Sequence, residues 1–133
     1  MSFFDKYINQ LIQGKKKVDV DLESISAVFN IKLSNLIIGR LRFDGSTWEF
    51  EYSSEFKNSD GVHRLVGFPD RNKVYQSETL WPFFKIRIPS IKQPAVRDII
   101  MSENIDSENE GALLTRFGAS TMSNPYVLEK IEA

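Results

Sequence analysis

The chain has 133 residues, of which 41% are hydrophobic and 12% aromatic, and its formal net charge at pH 7 is −1. This length fits one domain, and the apolar content suffices for a packed core, which excludes a disordered tail. The absence of cysteine excludes disulfides and cysteine-based zinc sites, and the small net charge argues against general affinity for nucleic acids or anionic membranes.

The N-terminus does not read as a targeting segment. Asp5 and Lys6 stand where a secretion signal needs an apolar core. No run in the sequence approaches the ~18 consecutive apolar residues of a membrane span. Because a cysteine-free chain also fits a reducing compartment, we predict a cytoplasmic protein.

Residues 1–24 predict an amphipathic helix followed by a basic connector. Ser2 can cap the helix with Asp5 as its capping-box partner, and Gly14 can end it. One face of this helix is apolar, with Phe4, Tyr7, Ile8, Leu11 and Ile12. Whether the helix packs on the rest of the chain or is available to a partner is open.

Residues 25–133 predict a single α+β domain, built on a small, hairpin-rich antiparallel sheet. Strands are expected at residues 25–33 and 36–43, separated by a turn at Ser34 and Asn35. No internal repeat, low-complexity stretch or linker marks a second domain. The N-terminal helix and two C-terminal helices are expected to pack on this sheet.

The next hairpin is the best-defined element, because RLRF and WEFEY flank the loop at residues 44–47. A four-residue loop pairs Phe43 with Trp48, Leu41 with Phe50, Gly39 with Tyr52, Arg42 with Glu49 and Arg40 with Glu51. Aromatic side chains then point inward and opposite charges outward, which predicts a sheet with one solvated face. A two-residue Asp-Gly turn is the competing register, but it pairs Phe43 with Ser46, so the longer loop is favoured.

The second half of the chain predicts polar loops, two helices and a short terminal strand. Residues 53–61 are polar and predict a loop. Pro94 suits the first turn of a helix, and a last helix covers residues 110–117 with Gly118 as its stop. A short strand or tail is expected around residues 126–128.

No residue pattern in the sequence predicts an active site. The one histidine, His63, lies beside Arg64 near a loop, and it lacks partners at metal-ligand spacing. The glycines form neither a P-loop nor a GxGxxG fingerprint, and no GxSxG elbow or kinase catalytic loop occurs. We therefore expect no catalytic residue, metal or cofactor, and a protein that works by binding another protein.

The segment LWPFFKIRIPS at residues 80–90 is the strongest candidate for a binding surface. Its rings and the cations that follow give the predicted partner-binding residues, which are Trp81, Phe83, Lys85, Arg87, Lys92 and Arg97. An aromatic anchor ringed by cations suits a partner pocket that carries carboxylates or bound phosphates. The alternative is a core-filling turn with Phe83, Phe84, Ile86 and Ile88 beneath the sheet.

The charges are unevenly distributed along the second half of the chain. Residues 61–97 hold seven Lys and Arg against two acids, a balance of +5, whereas residues 98–133 hold seven acids against two cations, a balance of −5. One interpretation is two solvated faces that partly neutralise each other after folding. The other is a basic strip that faces an acidic partner.

Three segments in this order resemble the N-terminal subdomain of HipA-type serine/threonine kinases, the toxin kinases of bacterial toxin–antitoxin systems. They are GRLRFDGSTWEFEYSSEF at 39–56, LWPFFKIRIPS at 80–90 and GALLTRFGASTMSNPYVLE at 111–129. The resemblance covers about residues 27–129, and residues 1–24 have no counterpart in it. The Pro-Glu-Gly that usually follows the aromatic block is Pro89-Ser90-Ile91 here.

The resemblance implies a role in protein binding rather than in phosphotransfer, because the chain is expected to stop where a HipA-type protein continues into its kinase domain. A free-standing copy of the subdomain resembles the small antitoxin of HipBST-type systems, which binds and neutralises a separate HipA-type kinase. A helix-turn-helix DNA-binding subunit is the third partner in such systems. The alternatives are an accessory subunit that completes a split kinase, or direct nucleic-acid binding through residues 85–97.

Overall fold

A computed structural model describes residues 26–59 and 61–131, so the predicted N-terminal helix lies outside the described residues. One antiparallel sheet has the strand order β4-β3-β2-β1-β5. The strands are β1 (Ala27–Leu33), β2 (Leu36–Phe43), β3 (Trp48–Tyr52), β4 (Tyr75–Ser77) and β5 (Val127–Lys130). The helices are α1 (Ser54–Lys57), α2 (Pro82–Lys85), α3 (Pro94–Ser102) and α4 (Glu110–Phe117). The predicted α+β class is confirmed.

The two hairpins form where the sequence predicted them. The β1–β2 turn is tight, and Ser34 adopts a positive φ of 54° there. In the β2–β3 hairpin Phe43 pairs with Trp48 and Gly39 with Tyr52, which confirms the four-residue loop. The Asp44 carboxylate closes this loop by accepting hydrogen bonds from the backbone N–H groups of Ser46 and Thr47, at 2.9 and 2.7 Å.

The core lies on the face of the sheet that carries the aromatic side chains. Phe50 is at its centre, with ring centroids 4.6 Å from Phe68 and 5.8 Å from Phe84. Gly39 is required beside it, because a Cβ at that position would lie 2.6 Å from a backbone carbonyl oxygen and 2.8 Å from the Phe50 ring. Inward-facing rings therefore hold the sheet, the β3–β4 connection and α2 together.

The opposite face is less solvated than the alternating pattern predicted. Glu49 is fully buried and Arg42 nearly so, and Arg42 Nη1 lies 2.8 Å from carboxylate oxygens of both Glu49 and Glu51. The pairing of Arg42 with Glu49 is confirmed, but the expectation that this pair faces solvent is wrong. A buried carboxylate needs such a charge-assisted bond, since an unpaired charge is costly to desolvate.

The polar segment at residues 53–61 contains a helical turn, α1, and is not only a loop. Ser53 caps this turn by accepting a hydrogen bond from the Phe56 backbone N–H at 3.0 Å. Phe56 is buried and stacks on the Tyr52 ring at 4.4 Å between centroids. A serine cap and one buried ring are thus sufficient to order a segment whose average composition is polar.

The C-terminal helices and the terminal strand are confirmed. In α3 and α4, the buried residues Val96, Ile100 and Leu113 form a small second core. Leu114 instead joins the main core under the sheet, which attaches α4 to it. Within residues 26–59 and 61–131, no helix has the length and apolar character needed to cross a bilayer.

Candidate partner-binding surface

The aromatic segment predicted to bind a partner forms the short helix α2. Trp81 is extended and precedes it, and Pro82 occupies its first turn, where the missing N–H leaves no bond unmade. The Phe84 side chain points inward and is fully buried, whereas Lys85 and Ile86 point outward. One helical turn thereby divides a continuous aromatic run into a core side and a surface side.

Trp81 and Phe83 lie between core and surface, because each is half-buried. The Trp81 ring meets Phe68 edge-on, with centroids 5.1 Å apart. Phe83 meets Phe84 at 5.1 Å and Tyr126 at 5.7 Å, both in edge-to-face geometry. Both rings therefore pack against the core and leave only part of their surface accessible.

Ile86 is an apolar surface residue, although the core-filling alternative placed it beneath the sheet. It is 54% exposed, and Ile91, five residues further along the chain, is 42% exposed. Helical spacing could have predicted this exposure. Phe84 and Arg87 are three residues apart and both face inward, which leaves Ile86 on the outer side. The core-filling alternative is thus wrong for Ile86 and confirmed for Phe84.

Arg87 is not an exposed cation beside the anchor, and that part of the prediction is wrong. The residue is only 4% exposed. Its Nη1 donates to the carbonyl oxygens of Gly118 and Ala119 at 3.2 and 3.4 Å, and its Nη2 donates to Asn124 Oδ1 at 2.9 Å and Tyr126 O at 2.8 Å. Burial lowers the pKa of Arg87.

The remaining predicted cations are exposed, but their surroundings differ. Lys85 Nζ lies 3.7 Å from a carboxylate oxygen of Glu110 on α4. Lys92 precedes α3 and Arg97 lies on it, and neither forms an ion pair or a ring contact within the described ranges. The structure thus brings Trp81, Phe83 and Lys85 together on α2 and its flank, with Lys92 and Arg97 on the following segment.

The two charge blocks neutralise each other only locally. Lys85 of the basic block meets Glu110 of the acidic block, and Arg116 pairs with Glu103 inside the acidic block at 2.8 Å. Exposed ion pairs of this kind contribute little to stability. The interpretation that the basic and acidic residues partly neutralise each other after folding therefore holds for Lys85. Lys92 and Arg97 remain exposed cations without an ion-pair partner in the described ranges.

A polar cleft of about 390 Å³ opens on the other side of the sheet, between β2, β3 and α1. It is lined by charged side chains that include Arg40, Glu51, Glu55 and Lys57, and by no residue of the predicted binding set. Across residues 26–59 and 61–131, no group of three or more His, Cys, Asp or Glu side chains could hold a metal ion.

A family model described as the HipA N-terminal domain matches residues 29–123, which is more than two thirds of the chain and includes α2, α3 and α4. No curated protein matches the chain.

Proposed function

This chain belongs to the HipA N-terminal domain family, and we propose that it is a non-catalytic module that binds and neutralises a separate HipA-type serine/threonine kinase. Membership of the family indicates a HipA-related toxin–antitoxin context. A helix-turn-helix DNA-binding subunit is a further partner in this proposal. The binding surface is formed by α2 and its flanks.

The observation that carries the proposal is the exposure of apolar groups on α2. Ile86 is more than half exposed at the end of α2, in the same segment as two half-buried rings, Trp81 and Phe83. Exposed apolar side chains beside rings that are already held by the core are typical of an interface with anchor residues. The exposed cations Lys92 and Arg97 suit the rim of such an interface, where they would assist association with an acidic partner.

Direct nucleic-acid binding through residues 85–97 has weaker support. Nucleic-acid binding by this segment needs a row of free cations, but Arg87 is buried and Lys85 lies beside Glu110. Two exposed cations supply little of the phosphate neutralisation on which such binding depends. The proposal therefore takes a protein as the partner.

The test uses the full chain and a HipA-type kinase from the same genome, with a kinase gene adjacent to the gene of this chain as the first choice where one exists. In a titration, Ile86→Ser should weaken binding by about tenfold or more, as expected of a central interface residue. Val66→Ser is the matched control, because Val66 is 81% exposed and lies on the β3–β4 connection. Absence of binding by the unaltered chain would refute the proposal.

Co-expression separates neutralisation from the alternative role, completion of a split kinase. A neutralising module relieves the growth arrest caused by the kinase, whereas a completing subunit deepens it. The purified complex should likewise transfer less phosphate to substrate than the kinase alone. Higher phosphotransfer in the complex would favour the accessory subunit instead.

A further inference from the structure

Arg87 fixes a segment that contributes little to the core. Residues 119–126, here named the clamped loop, connect α4 to β5, and most of their side chains are exposed. The guanidinium nevertheless donates to three backbone carbonyls at positions 118, 119 and 126 and to the Asn124 side chain. Within the described ranges it has no carboxylate partner, and its Nε is buried without a hydrogen-bond acceptor.

Burying the Arg87 cation without a carboxylate partner costs desolvation free energy. The hydrogen bonds that offset this cost also order the loop. The loop also has internal bonds. Asn124 Oδ1 accepts from the Tyr126 backbone N–H at 3.1 Å, and Thr121 pairs with Asn124 in an isolated bridge. The result is a turn fixed at its base and along its length.

Met122 lies on this turn and is completely exposed, at 106% of its reference accessibility. A methionine in that position makes no contribution to the core, yet its thioether chain adapts readily to an apolar cavity. Because the turn is already ordered, inserting this side chain into a partner would cost little backbone entropy. The loop thus presents one flexible apolar group on a rigid support.

The clamped loop is also free of charge. No Asp, Glu, Lys or Arg occurs between Arg116 and Glu129, although 26% of the whole chain is charged. Depletion of charged residues is the compositional mark of the centre of a protein–protein interface. Nucleic acids and anionic lipids, in contrast, are bound through cations. This chemistry fits a protein partner with an uncharged apolar cavity.

We propose that the clamped loop is a second docking element for the protein partner, with Met122 inserted into an apolar cavity and Arg87 acting as the positioning residue. The inference rests on the proposed function, since it takes the HipA-type kinase as that partner. The loop adjoins the α2 surface at Phe83. The centroid of the Phe83 ring lies 5.7 Å from that of Tyr126 at the end of the loop and 5.9 Å from Arg87 Cζ. The two elements form one binding face.

The first arm of the test replaces only the exposed side chain. Met122→Ser in the full chain should weaken kinase binding by about tenfold or more in a titration, without change in thermal midpoint. Met101→Ser is the matched control, because Met101 is also well exposed, at 72%, and lies on α3. Unchanged affinity of Met122→Ser, or an equal loss for the control, would overturn the inference.

The second arm tests whether Arg87 acts through the loop. Arg87→Lys keeps the charge but cannot reach four acceptors, so its affinity should fall by a factor similar to that for Met122→Ser. The double variant should lose little more than either single variant, because both changes remove the same contact. Additive losses would refute the positioning role. If Arg87→Lys fails to fold, the Met122 arm still decides whether the loop binds.

Kinase binding by the chain and docking by the clamped loop are refuted by different results. A chain that binds no kinase refutes the proposed function and removes the partner assigned to the loop. A chain that binds the kinase with full affinity after Met122→Ser refutes the clamped loop alone.

Discussion

The Tyr52 hydroxyl is the clearest case of one polar atom organising its surroundings. It donates to the Phe68 carbonyl oxygen at 2.5 Å and accepts from the Leu65 backbone N–H at 2.9 Å. The ring is buried and stacks on Phe56. A single residue of β3 thus satisfies two backbone groups of the β3–β4 connection, which has little regular structure of its own.

This hydroxyl predicts an alkaline loss of stability. Burial raises the pKa of Tyr52 from 10.0 to about 12. Since the folded-state pKa exceeds the unfolded one, the contribution of Tyr52 is fully present below pH 10 and is lost as the pH rises toward 12. We expect the free energy of unfolding of the wild type to decline over that window.

Denaturant titrations at pH 8, 10 and 11 would measure this decline. Tyr52→Phe should be less stable at pH 8, because Leu65 N–H and Phe68 C=O lose their partner. The variant should also show a smaller further loss above pH 10. The same pH dependence in both proteins would assign the effect to other groups.

At the scale of single elements, local sequence signals predicted the strands more reliably than the short helices. Alternation and turn residues fixed β1 to β3, because each strand residue must face either the core or the opposite side. The turn α1 was not predicted, since its order depends on one cap, Ser53, and one buried ring, Phe56. Four residues carry too few positions for a helical period to show.

Ser53 therefore provides an element-scale prediction. Its Oγ accepts from the Phe56 backbone N–H and also donates to the Ile37 backbone carbonyl. Ser53→Ala should lower the free energy of unfolding by about 1–2 kcal/mol, the upper range for loss of an N-cap. Chemical denaturation would measure the change.

Ser53→Thr is the matched control, because threonine retains the hydroxyl and is itself a competent cap. We expect it to lie much closer to the wild type than the alanine variant does. If both substitutions are silent, the cap does not stabilise α1, and Phe56 alone accounts for the turn.

At the scale of the whole molecule, the sequence predicted the class of the fold, the register of the β2–β3 hairpin and the C-terminal helices. The sequence did not predict which individual charged side chains are buried. Glu49 and Arg87 occupy positions where charge suggested solvent, yet both are buried. The environment of Arg87 is formed by residues distant in sequence, such as Asn124, and no local pattern predicts such partners. For Glu49 the local pattern predicted the partner, Arg42, but not the burial of the pair.

The structure contradicts the expected exposure of one predicted binding residue, Arg87, and the binding role of the other members stays a prediction. Trp81, Phe83 and Lys85 lie together on α2 and its flank, but Arg87 faces the clamped loop. Substituting glutamate for Arg87 should therefore impair folding rather than association. Charge at the rim is left to Lys92 and Arg97, which are exposed.

These two cations give the last prediction. Exposed charges at a rim act mainly on the rate of association, because they steer the encounter and remain partly solvated in the complex. Reversing both, as Lys92→Glu with Arg97→Glu, should slow association with the kinase about threefold to tenfold and leave dissociation nearly unchanged. Stopped-flow measurements at several salt concentrations would separate the two rates, and the salt dependence should weaken in the variant. Lys57→Glu is the matched control for each of the two reversals made singly, since Lys57 is an exposed cation that lines the cleft on the other side of the sheet. A dominant change in the dissociation rate would place Lys92 and Arg97 inside the interface. Equal slowing of association by Lys57→Glu would show that net charge, and not the position of the two cations, causes the effect.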